Sequence, residues 1–178
     1  MPKTSKEQIK KDEQKIIDLL QSDAGQGIDS IAKKCGFSRQ KVWRIIKRLE
    51  ENGTLWGYTA VVDSKKAECE RFIILIKRTP KPLNKELVGI ITERKLARKA
   101  KEKLRIKIEV SCSMNGVYSW ILLFTAPDLT TAERFSELIY DIYEEYISEV
   151  LLLPVIFPVK LGNLDNPNVK EFELFLPK

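Results

Sequence analysis

There is no histidine anywhere in the 178 residues of this sequence. That absence removes Ser/His and Cys/His nucleophilic catalysis, the imidazole metal sites, and the side chain best suited to general-base work near neutral pH. Cysteine is scarce as well. Cys35, Cys69 and Cys112 are odd in number, far apart and without metal-ligand spacing, which fits a reducing compartment. No apolar run approaches the roughly 20 residues of a membrane span. The N-terminal "MPKTSKEQIKKDEQ" lacks the apolar core and cleavage pattern of a secretory signal. The expectation is a cytoplasmic chain of ordinary globular make-up, 43% hydrophobic and 31% charged, with room for one domain or two small ones. No cofactor and no metal are expected. A formal net charge of +6 directs attention to an anionic partner.

The charge is concentrated. Between Ser38 and Arg48 stand five cations, Arg39, Lys41, Arg44, Lys47 and Arg48, with no acid among them. Two amphipathic helices precede this stretch. The first, over 6–21, carries Ile9, Ile16, Leu19 and Leu20; the second, over 28–35, places Ile28, Ile31, Ala32 and Cys35 on one stripe. Gly36 stands where a left-handed C-cap belongs, and Ser38 is a natural N-cap for a third helix. That helix buries Val42, Ile45, Ile46 and Leu49 and turns Gln40, Arg44 and Lys47 to the opposite side. Asn52-Gly53 stops it, and the aromatic, β-rich stretch from Leu55 to Val62 reads as a strand.

Helix, helix, tight turn, capped helix and strand is the layout of a winged helix-turn-helix, whose last helix enters the DNA major groove N-terminus first. Ser38 marks the amide-rich end that faces phosphate. Gln40 suits bidentate pairing with adenine and Arg44 with guanine, each worth roughly 1–3 kcal/mol of discrimination. Arg39, Lys41, Lys47 and Arg48 supply charge for the backbone, giving affinity without sequence choice. Trp43 either packs on sugar or a thymine methyl, or covers the base of the helix. The competing reading is a merely solvated helix face; the single sign of the charges and the lengths of the preceding helix and turn weigh against it.

The second half changes character. "RFIILIK" (71–77) reads as a buried strand, "TPKPLN" as a loop, and 84–103 as helix broken near "TERK". Leu104, Ile106, Ile108, Val110, Cys112 and Met114 alternate with polar residues, predicting a half-buried strand with Cys112 in the core. After an Asn115-Gly116 turn, "VYSWILLFTA" returns as its partner. A helix capped by Asp128 or Thr130 runs through about Val150. A strand follows in "VLLLPVIFPVK", and "EFELFL" (171–176) adds a short terminal one. The basic stretch 93–107 reads as a wet helix face rather than a second DNA surface. The predicted fold class is α+β, a winged helix-turn-helix followed by a ferredoxin-like β-α-β-β-α-β domain. Its boundaries are expected at 1–63, with a hinge over 63–70, and at 71–178.

The run "KIIDLLQSDAGQGIDSIAKKCGFSRQKVWRIIKRLEENGTLWGYTAVVD" resembles the N-terminal half of the Lrp/AsnC family of transcription regulators. The likeness falls on Asp23, Ile31, Ala32, Gly36, Ser38, Val42, Ile46, Leu49, Glu50, Gly53, Leu55, Gly57, Tyr58, Ala60 and Asp63. It implies double-stranded DNA as partner, a homodimer or higher oligomer formed through the second (RAM) domain, and an amino-acid or other small-molecule effector. The effector residues would be Asn115, Gly116, Tyr118 and Ser119. Here the chain departs from the family's Gly-acid-Tyr-Asp turn, since Val117 and Ser119 stand in place of the acids. An effector-independent, nucleoid-type protein is therefore an alternative. An enzyme of the siroheme decarboxylase kind resembles the same layout, but such enzymes lean on histidines that this chain lacks.

Overall fold

The computed structural model describes residues 5–175, in two units: one runs to Val61 and includes the segment from Val159 onward, and the other spans Val62–Pro158. The sequence reading had carried the second domain through to the C-terminus. In the first unit α1 (Lys6–Ser22), α2 (Ile28–Cys35) and α3 (Arg39–Glu51) close around Ile16, Leu20, Ile31, Ala32, Val42, Ile45 and Leu49. These are the apolar positions of three amphipathic stripes, so periodicity alone places this core. Between α2 and α3, Gly36 takes φ +68° and ψ +34°, the left-handed conformation that an L side chain disfavours.

The strand expected over Leu55–Val62 does not form. The segment is in no ladder, and Trp56 is 98% exposed. A β-rich composition supplies propensity, but a strand also needs a neighbour to accept its backbone bonds. Tyr58 is held locally, its hydroxyl donating to Glu50 Oε1 at 3.0 Å. In the C-terminal segment a two-residue hairpin, β5 (Lys160–Leu161) with β6 (Leu164–Asp165), is followed by a 3-10 turn over Val169–Phe175. That turn replaces the strand expected at 171–176, of which Leu176 lies outside the described residues.

In the second unit β1 (Glu70–Arg78), α4 (Lys85–Thr92), α5 (Lys95–Leu104), β2 (Lys107–Ser113), β3 (Trp120–Ala126), α6 (Leu129–Tyr143) and β4 (Ile147–Pro154) form an antiparallel sheet in the order β2-β3-β1-β4. The helices cover one face, which is the ferredoxin-like arrangement. Phe72, Ile74, Leu122 and Phe124 meet Ala100, Phe135 and Ile139 there, with Phe124 between Phe72 (5.6 Å) and Phe135 (4.9 Å). The helix predicted over 84–103 is interrupted at Glu93–Arg94, where Arg94 adopts φ +53°. Asp128, not Thr130, caps α6, accepting from the Thr131 amide at 2.7 Å. The helix ends at Tyr143 rather than near Val150, because β4 already pairs with β1 from Ile147 onward.

Strand β2 corrects another expectation. Leu104 still ends a helix, Arg105 turns with φ +55°, and the ladder register shifts between Ile108 and Val110. A bulge inverts the alternation beyond it. Ile108 lies opposite Phe124 on the helix-covered side, but so do Ser111 opposite Leu122 and Ser113 opposite Trp120. Val110 and Cys112 are thereby turned to the uncovered face, and Cys112 is exposed instead of sitting in the core. The bulged Glu109 accepts two hydrogen bonds from the guanidinium of the buried Arg71, at 2.9 and 3.0 Å.

Candidate nucleic-acid interface

The N-terminus of α3 is set by Ser38, whose Oγ accepts from the Lys41 amide at 3.2 Å. This leaves the Arg39 and Gln40 amides at the helix mouth, where they face an anion favourably. Val42, Ile45 and Leu49 anchor one side of the helix in the core, so the other side stands clear with Gln40, Trp43, Arg44 and Lys47 exposed. Trp43 is half exposed (51%), and the Lys47 ammonium lies 5.1 Å from its ring centroid.

The cations of α3 are not equivalent. Arg39 reaches Asp29 of α2 at 2.7 Å, and Arg48 reaches Glu13 of α1 at 2.8 Å. Lys41 lies 2.6 Å from Asp12, a carboxylate almost completely buried, and 3.8 Å from the Phe37 ring centroid. Lys47 approaches Glu51 at 3.8 Å, a surface contact of little energetic weight. The sequence offers five cations with no acid between Ser38 and Arg48, but acids of α1 and α2 reach three of them and Glu51, four residues on in α3 itself, reaches Lys47. Arg44 is the exception. Among the described residues no carboxylate lies within ion-pair range of it, and its Nε donates only to the Gln40 carbonyl of its own helix, at 3.3 Å. The two side chains suited to reading base edges therefore stand together, one turn apart, on the exposed face.

Lys41 is thus a brace between α1 and α3 as much as a charge for DNA. Its hydrogen bond to Asp12, together with one from Gln8 (2.8 Å), holds the Asp12 carboxyl below the usual carboxylate range despite its burial. A depressed folded-state pKa contributes stability above the unfolded-state value and loses it as pH falls through the folded one. Thermal melts of the wild type should therefore show acid destabilisation that Asp12→Asn lessens. At neutral pH, Lys41→Ala should cost about 1–2 kcal/mol, the lower part of the range for a buried group left under-satisfied, because Lys41 itself is partly solvated. Melting that is the same in both proteins at every pH would contradict the brace.

The proposed effector residues are gathered in the β2–β3 turn. Gly116 has φ +156°. Tyr118 donates to Glu149 Oε1 at 3.3 Å, and Ser119 is occupied in tying the turn to β1, its amide donating to the Ile76 carbonyl at 2.8 Å. Asn115 is exposed. What sequence reasoning missed is a cavity of about 490 Å³ beside this turn, on the helix-covered face of the sheet, which only Ser119 of the four lines. The acids that pair with α3 were missed too, since Asp12 and Glu13 lie on another helix.

Residues 13–55 match the family of winged helix-turn-helix DNA-binding domains. The transcriptional regulator LrpA of Pyrococcus horikoshii is 41% identical over 51 residues, and so is that of Pyrococcus abyssi. The match takes in 29% of this chain and 36% of each relative, about a third of the length of the curated proteins. Among solved structures, an AsnC family transcriptional regulator from Agrobacterium tumefaciens superposes with TM-score 0.61 at 20% identity, covering 88% of this chain and 96% of its own. LrpC of Bacillus subtilis gives 0.60 at 17%, covering 90% and 99%. A transcriptional regulator of Neisseria meningitidis in complex with L-Met gives 0.61 at 15%, covering 85% and 92%. The two-domain fold is that of these proteins, and the sequence likeness lies in the helix-turn-helix.

Proposed function

We propose that this chain, of Lrp/AsnC type in its N-terminal domain and its fold, is a sequence-specific double-stranded DNA-binding transcription regulator. It works in the cytoplasm as a homodimer or larger oligomer and carries no catalytic activity. The observation that carries the reading is Arg44: a guanidinium without a carboxylate partner among the described residues, beside Gln40, on the exposed face of a capped helix. A side chain already committed to an internal ion pair would have to break it to reach a base; Arg44 has none to break. Lys47 and Arg39 hold solvent-exposed acids, so exchanging these for phosphate costs little.

Two surfaces support assembly. The sheet face away from the helices carries Ile73, Leu75, Ile121, Leu123, Leu151 and Leu153, with Leu153 and Val110 at 39% exposure. The segment Leu55–Val62 is largely exposed and outside any ladder. Pairing two recognition helices supplies the reach and specificity that a single short helix lacks. Modulation by a small-molecule effector belongs to the same reading, with the β2–β3 turn as its place.

Gel-shift titration tests the DNA assignment. Lys47→Ala should weaken binding about equally on every duplex and reduce the slope of log affinity against log salt by about one unit. A slope and affinity unaltered by this change would remove Lys47 from the phosphate contacts.

A further inference from the structure

The cavity in the second unit has a chemistry that the DNA-binding reading does not use. It opens between α4 and the sheet. Leu87, Val88 and Ile91 form one wall, and Ile108, Trp120 and Leu122 the other. Its volume of about 490 Å³ is in the range of small-molecule sites, which are largely apolar with a few placed polar groups. The bulge in β2 contributes here, because it turns Ser111 and Ser113 rather than Val110 and Cys112 toward this side. Without it Val110 and Cys112 would face this side in place of the two serines.

None of the side chains lining the cavity is a carboxylate, and two of them are arginines, Arg78 and Arg94. Arg78 is the informative one. Its Nη2 donates to the Lys81 carbonyl at 2.9 Å, but its Nε is buried without a hydrogen-bond partner. Among the described residues no acid lies in ion-pair range of either arginine; the nearby Glu145 pairs with Lys81 instead. A buried guanidinium nitrogen left unsatisfied is costly and calls for an acceptor. Arg94 sits in the αL break between α4 and α5 and lines the same cavity.

We propose that this cavity binds a small organic monocarboxylate with an apolar or aromatic body, its carboxylate held by Arg78 and Arg94 and its body between α4 and Trp120. No carboxylate lines the cavity to pair with an ammonium group, which would stand beside two arginines, so the ligand class is an acid without a free amine. The inference extends the effector part of the proposed function, but the binding itself depends on no DNA contact.

Calorimetric titration of the full chain with three matched probes tests it: 4-phenylbutyrate, 4-phenylbutylamine and 4-phenyl-1-butanol. The carboxylate should bind roughly tenfold or more tightly than either of the others, as expected for a charge-assisted contact to arginine. Arg78→Met should abolish that preference and Arg78→Lys retain part of it. Should Arg78→Met fail to fold, Val88→Trp, at a half-exposed lining position, should fill the cavity and eliminate binding of the carboxylate. Equal affinity for the three probes, preference for the amine, absence of binding, or binding unaffected by Val88→Trp would each overturn the proposal. A mistaken DNA assignment would show in the Lys47→Ala gel shift and leave these titrations unaltered, so the two failures are separable.

Discussion

Arg44→Ala is expected to lower affinity for the preferred DNA site by about 5- to 150-fold, the equivalent of roughly 1–3 kcal/mol, and to do so unevenly across sequences. The size follows from what the side chain does in the free protein. It lies on the exposed face of α3 with no acid in ion-pair range among the described residues, and its Nε donates to a carbonyl of its own helix. Truncating it removes no core contact, so the fold should melt as before. The loss should fall on sites that present a guanine edge to it, while sites lacking that base lose only a general electrostatic contribution. Gln40→Ala should behave in the same way at a neighbouring base. A loss equal on all duplexes would make Arg44 a phosphate contact; no loss would take it out of the interface.

The largest effect is expected from the sheet rather than the helix. Leu123→Lys places a charge at the centre of the uncovered face, opposite Ile73 on β1 and Val110 on β2. In an isolated domain a lysine there reaches water and disturbs little. In a face-to-face dimer it would be buried without a partner, which is prohibitive. Light scattering should therefore report a monomer where the wild type is a dimer or larger. Affinity for a two-half-site duplex should fall by about a hundredfold or more as the linked second helix is lost. A variant that remains dimeric and binds DNA normally would assign the interface elsewhere.

Local signals in the chain were sufficient for the helix-turn-helix. Gly36 takes the left-handed conformation that its position between two amphipathic stripes suggested, Ser38 caps α3, and the core residues are those of the 3.6-residue period. The break at Glu93–Arg94 was legible for the same reason. What was not legible depended on partners distant in sequence. The bulge between Ile108 and Val110 inverts a clean alternation, and nothing in that alternation announces it; the consequence is an exposed Cys112. The end of α6 at Tyr143 is decided by β4 pairing with β1, and residues 55–62 have no partner strand among the described residues. The charge pattern of α3 was read without the carboxylates that α1 contributes, so Lys41 looked like a phosphate contact when it is also tied to Asp12. Residue types alone pointed to Arg44 and Gln40 as base readers, and the fold adds that Arg44 is the cation of α3 without a carboxylate partner among the described residues.

The central claim is that the exposed face of α3 lies in the DNA major groove. Methylation protection of guanine N7, on a duplex recovered by selecting bound genomic fragments, addresses it directly because N7 lies on the floor of that groove. The expected result is protection of guanines in each half-site by the wild-type protein, with protection of one guanine per half-site lost in Arg44→Ala. Fully reactive N7 positions on a duplex that is demonstrably bound would contradict it, and would place the contact somewhere other than this helix.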